Sequence, residues 1–155
     1  FNRNGLKTSC FGMKKVIAVF IFISFAACSP DLTDDLIPIP VFEDLVLNLS
    51  LPENSDLNTL GYKYLGGNAG VRGIIVYKKN ATTYLAFERN CSYQPNNACA
   101  TVDAHSSTLY MEDVCCGSTF NWDGTPTGGP AWRLLRQYET ILIGFQLTIT
   151  DEIIN

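Results

Sequence analysis

Beyond residue 41, apolar and polar positions alternate with a period of two, the pattern of half-buried strands and not of helix faces. Phe145, Leu147 and Ile149 alternate with Gln146, Thr148 and Thr150, and the segment 138–143 precedes them across Gly144. This predicts a hairpin turning at Gly144. A second hairpin is expected from residues 71–78 and 83–89, joined around Asn80, with Ile74, Val76, Leu85 and Phe87 pointing inward. Residues 46–51 and 108–112 supply further strands, and 58–64 reads either as one helical turn or as a strand. No segment here keeps a helical period beyond two turns. The expected class is therefore all-β, a small antiparallel β-sandwich or barrel over residues 41–155.

Ahead of that domain the pattern changes. Met13, Lys14 and Lys15 lead into twelve apolar or small residues, 16–27, followed by Cys28. Such a stretch is too short to span a bilayer, which takes about 20 residues, and has the build of a secretory signal. Its ending, Phe25-Ala26-Ala27-Cys28, resembles a bacterial lipobox, with Phe25 where Leu is commoner. The resemblance implies that Cys28 is acylated and becomes the mature N-terminus, a persistent anchor when more than one acyl chain is attached. On this reading Met13 is the initiator, residues 1–12 with Cys10 lie upstream of the working protein, and 13–27 are the signal. Residues 28–40 carry three prolines and three acids and are expected to form an extended, solvated tether. The expected location is the cell envelope, at the outer membrane and facing the periplasm or the exterior.

Composition narrows the functions open to the domain. A chain of 155 residues, 46% of them apolar, supports one domain with a real core. Formal net charge is -4, but four of the eleven basic residues precede residue 16; from residue 28 onward seven basic side chains face fifteen acidic ones, leaving -8. A phosphate-tracking surface is not expected from that balance, nor nucleic acid as a partner. The single histidine, His105, cannot supply a site that needs two imidazoles. The Gly-rich segment 124–130 lacks the lysine and helix start of a phosphate loop and reads as turn chemistry. Trp122 and Trp132 flank it and are expected to pack over neighbouring loops. Glu112 and Asp113 are adjacent in a predicted strand, so they face opposite ways and cannot act as one acid/base pair.

Four cysteines remain in the domain, Cys91, Cys99, Cys115 and Cys116. In an oxidising compartment such an even set forms disulfides. Three connectivities exist, and pairing the neighbours Cys115 and Cys116 would strain the ring they close. Two bridges from the 91/99 loop to the 115/116 loop are therefore expected, each worth about 3 kcal/mol by loop-closure entropy. As scaffolding they would be buried beneath the Gly-Pro segment.

The segments Asn90-Cys91-Ser92-Tyr93, with Cys99, and Cys115-Cys116-Gly117-Ser118-Thr119-Phe120 resemble the two cluster-binding loops of the Rieske iron-sulfur fold. The trail continues with Gly124, Gly129-Pro130-Ala131, Leu135 and Tyr138. Upstream, residues 71–77 are similar to the strand before the first loop in Rieske-like lipoproteins of the Bacteroidetes type. The resemblance covers about residues 42–151 and implies a small β fold. In that family each loop supplies one Cys and one His to a [2Fe–2S] cluster. Carried over position by position, the ligand sites hold Cys91, Tyr93, Asp113 and Cys116, so three of four ligands are replaced. The resemblance therefore implies a domain that has lost its cluster, with no metal and no cofactor. It also pairs Cys99 with Cys115, although Cys99 lies three residues further along than the pattern expects. Cys91 and Cys116 are left as a second bridge, with Cys91 to Cys115 and Cys99 to Cys116 as the alternative set.

Three functions follow as expectations. The first is a membrane-anchored lipoprotein with a structural or partner-binding role toward an unidentified protein, and no catalytic residue. The second is a periplasmic redox protein with a reactive disulfide. The third is a degenerate iron-sulfur electron carrier.

Overall fold

A computed structural model describes residues 35–155. The signal segment, Cys28 and residues 29–34 fall outside them. Among the described residues, ten strands form two antiparallel sheets. The larger takes β1 (Leu45–Asn48), β2 (Tyr62–Leu65), β3 (Ile74–Lys78), β4 (Tyr84–Glu88), β9 (Gln137–Ile143) and β10 (Gln146–Ile153), in the order β1-β10-β9-β4-β3-β2. The smaller takes β5 (Asp103–Ala104), β6 (Met111–Asp113), β7 (Ser118–Phe120) and β8 (Pro126–Gly128) in sequence order. All the pairings are antiparallel. A 3-10 turn (Pro52–Asn54) and the one-turn helix α1 (Asp56–Thr59) join β1 to β2. The 58–64 segment is thus both a helical end and a strand start.

The all-β expectation holds, but two inward assignments change. The last hairpin turns at Gly144 and Phe145, with Ile143 paired to Gln146. Gly144 takes φ +61° there, and Phe145, expected to face the core, sits on the turn and is 70% exposed. Leu147 and Ile149 are buried as expected. In the second hairpin, Ile75 pairs with Phe87 and Val76 with Ala86, so Ile74 and Val76 share a face with Ala86 and not with Leu85 and Phe87. Alternation misleads because β3 and β4 are buried on both faces, where a strand reads as a continuous apolar run.

Those two faces belong to two cores. One gathers Ile74, Val76, Tyr84, Ala86, Tyr138, Leu147 and Ile149 with Leu57 of α1. The other gathers Ile75 and Phe87 with Cys91, Ala100, Val102, Met111, Phe120, Ala131 and Leu135. The second core lies under the small sheet and its loops, and it contains the first cysteine of the candidate site. Residues 35–40 form no regular element, yet the Asp35 carbonyl accepts from Arg133 Nη1 at 2.9 Å and the Ile37 carbonyl from Arg136 Nη2 at 2.6 Å. This end of the expected tether is half-buried on the domain and not fully solvated. Among the described residues, no helix is long and apolar enough to cross a membrane.

Candidate functional site

Two loops converge at the end of the small sheet. The first, residues 89–102, leaves β4 and is closed by Val102 N–H donating to the Arg89 carbonyl at 2.7 Å and Cys91 N–H to the Ala100 carbonyl at 3.2 Å. The second is the β6–β7 hairpin turn, residues 114–117, bounded by the Asp113–Ser118 pair and closed by Gly117 N–H donating to the Asp113 carbonyl at 2.8 Å. Period-two alternation along β6 turns Met111 and Asp113 inward and leaves Glu112 half-buried. The two acids therefore diverge, as their adjacency requires.

Convergence brings Cys91, Asp113 and Cys116 together, with one ligand atom of each within 4.8 Å of the others. Cys91 Sγ and Cys116 Sγ are 3.9 Å apart. Cys116 Sγ lies 3.3 Å from Asp113 Oδ2 and 3.0 Å from Ser118 Oγ. Asp113 Oδ1 accepts the Cys115 N–H at 2.8 Å, and Ser118 Oγ accepts the Ala131 N–H at 3.1 Å, which ties the Gly-Pro segment to the hairpin. Cys91 and Asp113 are fully buried, Cys116 half-buried. Burial pushes the Cys91 thiol well above its ordinary range, and Asp113 and Cys116 beside it push in the same direction.

Cys99 and Cys115 form a disulfide with Cα atoms 5.7 Å apart, as the resemblance implied. Both cysteines are exposed, so this bridge lies on the surface and not beneath the Gly-Pro segment. The second expected bridge is not formed: Cys91 and Cys116 are free thiols, and 3.9 Å is contact distance where a bond needs about 2.05 Å. Tyr93 packs half-buried against the second core. His105 lies in the turn before β6, its Nδ1 2.8 Å from Ser107 Oγ and its ring stacked on Tyr110 at 4.3 Å. Trp122 packs as expected, stacked on Tyr77 at 4.6 Å and Tyr62 at 5.4 Å, whereas Trp132 is 54% exposed.

Sequence reasoning missed the arginines that hold the first loop. Arg72 donates to Asn90 Oδ1 at 3.0 Å, to the Ala98 carbonyl at 2.8 Å and to the Asn97 carbonyl at 2.6 Å. Arg133 donates from Nη2 to the Ser92 carbonyl at 2.6 Å, and Ser92 Oγ donates back to the Arg133 carbonyl at 2.7 Å. Both straps span long sequence separations that no local pattern marks. Arg89, the basic residue that opens the first loop, pairs with Asp103 and sits over the Tyr64 ring at 4.6 Å.

This arrangement of two sheets and two joined loops matches a known structure, the cyanobacterial plasma membrane Rieske protein PetC3 from Synechocystis PCC 6803. The TM-score is 0.50 and the identity 24%, covering 62% of this chain and 92% of that one. The fold is Rieske-like. No protein-family model and no curated protein matches the chain. A Rieske [2Fe–2S] cluster needs two thiolates on one iron and two imidazoles on the other. The donor set brought together here is two thiols and one carboxyl, with Tyr93 packed against the second core and the lone imidazole stacked elsewhere on Tyr110. The residues present do not fit that cluster.

Proposed function

We propose that this chain is an exported lipoprotein, held at the outer membrane through Cys28, whose Rieske-like domain works without an iron-sulfur cluster as a structural or partner-binding module. The observation that carries this reading is the donor set: the loops bring together Cys91, Asp113 and Cys116 with no imidazole among them, and the resemblance places these three and Tyr93 at the ligand positions of the family. The loops nonetheless keep their architecture, through the Cys99–Cys115 bridge, the Arg72 and Arg133 straps and the Ser118 hydrogen bond to the Gly-Pro segment. What persists is a rigid platform, and rigid platforms present surfaces.

The free thiol pair favours a second reading, a periplasmic redox protein that cycles a Cys91–Cys116 bridge. A reactive thiol has a depressed pKa, usually from a neighbouring positive charge. Cys91 is buried beside a carboxylate and its thiol is pushed up, so the first reading is preferred.

Three measurements test it. Protein expressed with export and purified should contain no stoichiometric iron and no visible absorption, and near two irons per chain would overturn the cluster-free reading. Mass spectrometry of membrane-extracted protein should find acyl groups on Cys28 and nothing from residues 1–27. A Cys28→Ala form should leave the membrane fraction, and unchanged retention would overturn the anchor.

A further inference from the structure

We propose that Cys91, Cys116 and Asp113 bind one divalent transition-metal cation, with Zn2+ as the representative ion, through two thiolates and one carboxylate oxygen. The spacing is the first argument. A tetrahedral zinc with Zn–S of about 2.3 Å and Zn–O of about 2.1 Å sets its ligand edges at about 3.8 Å for S···S and about 3.6 Å for S···O. The two sulfurs stand at 3.9 Å, and Cys116 Sγ and Asp113 Oδ2 at 3.3 Å, so a metal enters by small side-chain shifts.

Aim is the second argument. Asp113 Oδ1 is fixed by the Cys115 N–H, which leaves Oδ2 turned toward the sulfur. The three residues come from a strand end, its hairpin turn and a loop pinned by backbone bonds, so the set is preorganised.

Charge is the third. Asp113 is fully buried, and among the described residues no ion pair reaches it. The other buried carboxylate, Glu88, accepts four hydrogen bonds, whereas the Asp113 carboxyl accepts one backbone N–H, from Cys115, and otherwise meets the thiols of Cys116 and Cys91. A buried carboxyl without an ion pair and flanked by two sulfurs is a donor set whose charge a cation would balance.

Two thiolates with one carboxylate select Zn2+ or a similar ion over Mg2+ and Ca2+, which prefer oxygen. On binding, both S–H bonds release their protons to solvent and two metal–sulfur bonds form, with no change of oxidation state. Solvent completes the coordination on the half-buried Cys116 side. A single ion needs no imidazole, so the site goes beyond the cluster-free reading without depending on the anchor.

The full chain, isolated after export with the Cys99–Cys115 bridge intact, is titrated with Zn2+ against a chromophoric chelator and separately with Co2+. The expected result is one equivalent bound, with thiolate-to-cobalt charge-transfer absorption. Cys91→Ser or Cys116→Ser should abolish that absorption. Asp113→Asn, nearly isosteric, should keep it while weakening affinity by about 10-fold or more. His105→Ala should bind as the unmodified chain does. Near-UV circular dichroism identifies variants that remain folded. Absence of binding by the chain with both thiols free, equal binding by a folded Cys91→Ser variant, or a Cys91–Cys116 bridge in the exported protein would overturn the proposal. Iron is measured in the same samples: two irons per chain would overturn the cluster-free reading, whereas neither metal would overturn only the zinc site.

Discussion

Tyr138 donates its phenolic hydrogen to Glu88 Oε2 across 2.7 Å, joining β9 to the end of β4 within the buried interior. The same carboxylate accepts from Val71 N–H at 2.7 Å, Arg72 N–H at 3.0 Å and Asn90 N–H at 2.9 Å. One fully buried acid thus fastens the segment before β3, the start of the first loop and a core strand. Charge-assisted bonds of this kind are the strong ones, and losing the acceptor strands several buried donors at once. Glu88→Ala is expected to cost at least about 3 kcal/mol, with Tyr138→Phe costing about 1–2 kcal/mol. Urea unfolding midpoints measure both; equal, small losses would show that the carboxylate is not the shared anchor.

That relationship also sets an alkaline limit. Burial, followed by the hydrogen bond and charge of Glu88, pushes the Tyr138 pKa far above its ordinary 10.0. In the unfolded chain the phenol ionises near 10.0 and in the folded chain it does not, so the unfolded state binds fewer protons above that pH. The stability from this group is therefore fully present below pH 10.0 and declines above it, by up to about 1.4 kcal/mol per pH unit. Cys91 shifts in the same direction, so the part due to Tyr138 is the difference between the unmodified chain and Tyr138→Phe. Unfolding measured from pH 8 to about 11 should show a shallower alkaline decline in the variant. Parallel curves would remove Tyr138 as a cause.

The fold class was legible because hairpins carry local signals, the alternation in β10 and the Gly144 turn. The inward faces of β3 and β4 were not, since strands buried on both sides lose the alternation that marks a face. Within the site, the resemblance named the positions of Cys91, Asp113 and Cys116, and Asp113 points inward because Met111, two residues before it in the same strand, does. The resemblance could name the Cys99–Cys115 bridge but not its exposure, because burial depends on which loops cover a residue. Arg72 and Arg133 stayed invisible for the same reason: their partners lie 18 to 26 and 41 residues away. Glu88, next in sequence to the first loop, likewise turns toward Tyr138, fifty residues away, a direction no local pattern marks.

Gly129 should be among the least replaceable residues of the Gly-Pro segment. It takes φ +76°, and a Cβ there would meet the Gly117 carbonyl oxygen at 2.4 Å and Ser118 Cα at 2.5 Å. Both obstacles are backbone of the hairpin that carries Cys116, so neither can swing aside. Gly129→Ala is expected to destabilise by about 2 kcal/mol or more and to loosen the Ala131–Ser118 contact. Gly144→Ala is the control, with positive φ but open space around its Cβ, and should cost about 1 kcal/mol. Equal losses would mean that backbone conformation, and not the close approach, makes Gly129 necessary.

The Cys99–Cys115 bridge should prove reducible without collapse. Structural bridges resist reductant when they are buried, and this one has both cysteines exposed, on the outer side of the two loops. The second core lies beneath it and does not use either sulfur: Phe87, Cys91, Met111, Phe120 and Leu135 pack there. The loops are held independently by the Arg72 and Arg133 straps. What the bridge supplies is mainly restriction of the unfolded chain across its sequence separation of 16, worth about 3 kcal/mol. Cys99→Ser/Cys115→Ser should therefore fold with an unchanged near-UV spectrum while losing about 3 kcal/mol in urea unfolding. Mild dithiothreitol should reproduce that loss in the unmodified chain, and thiol labelling should mark Cys99 and Cys115 before the buried Cys91. If opening the bridge instead unfolds the domain or exposes Cys91 at once, the straps do not hold the loops alone and the disulfide is their principal fastening.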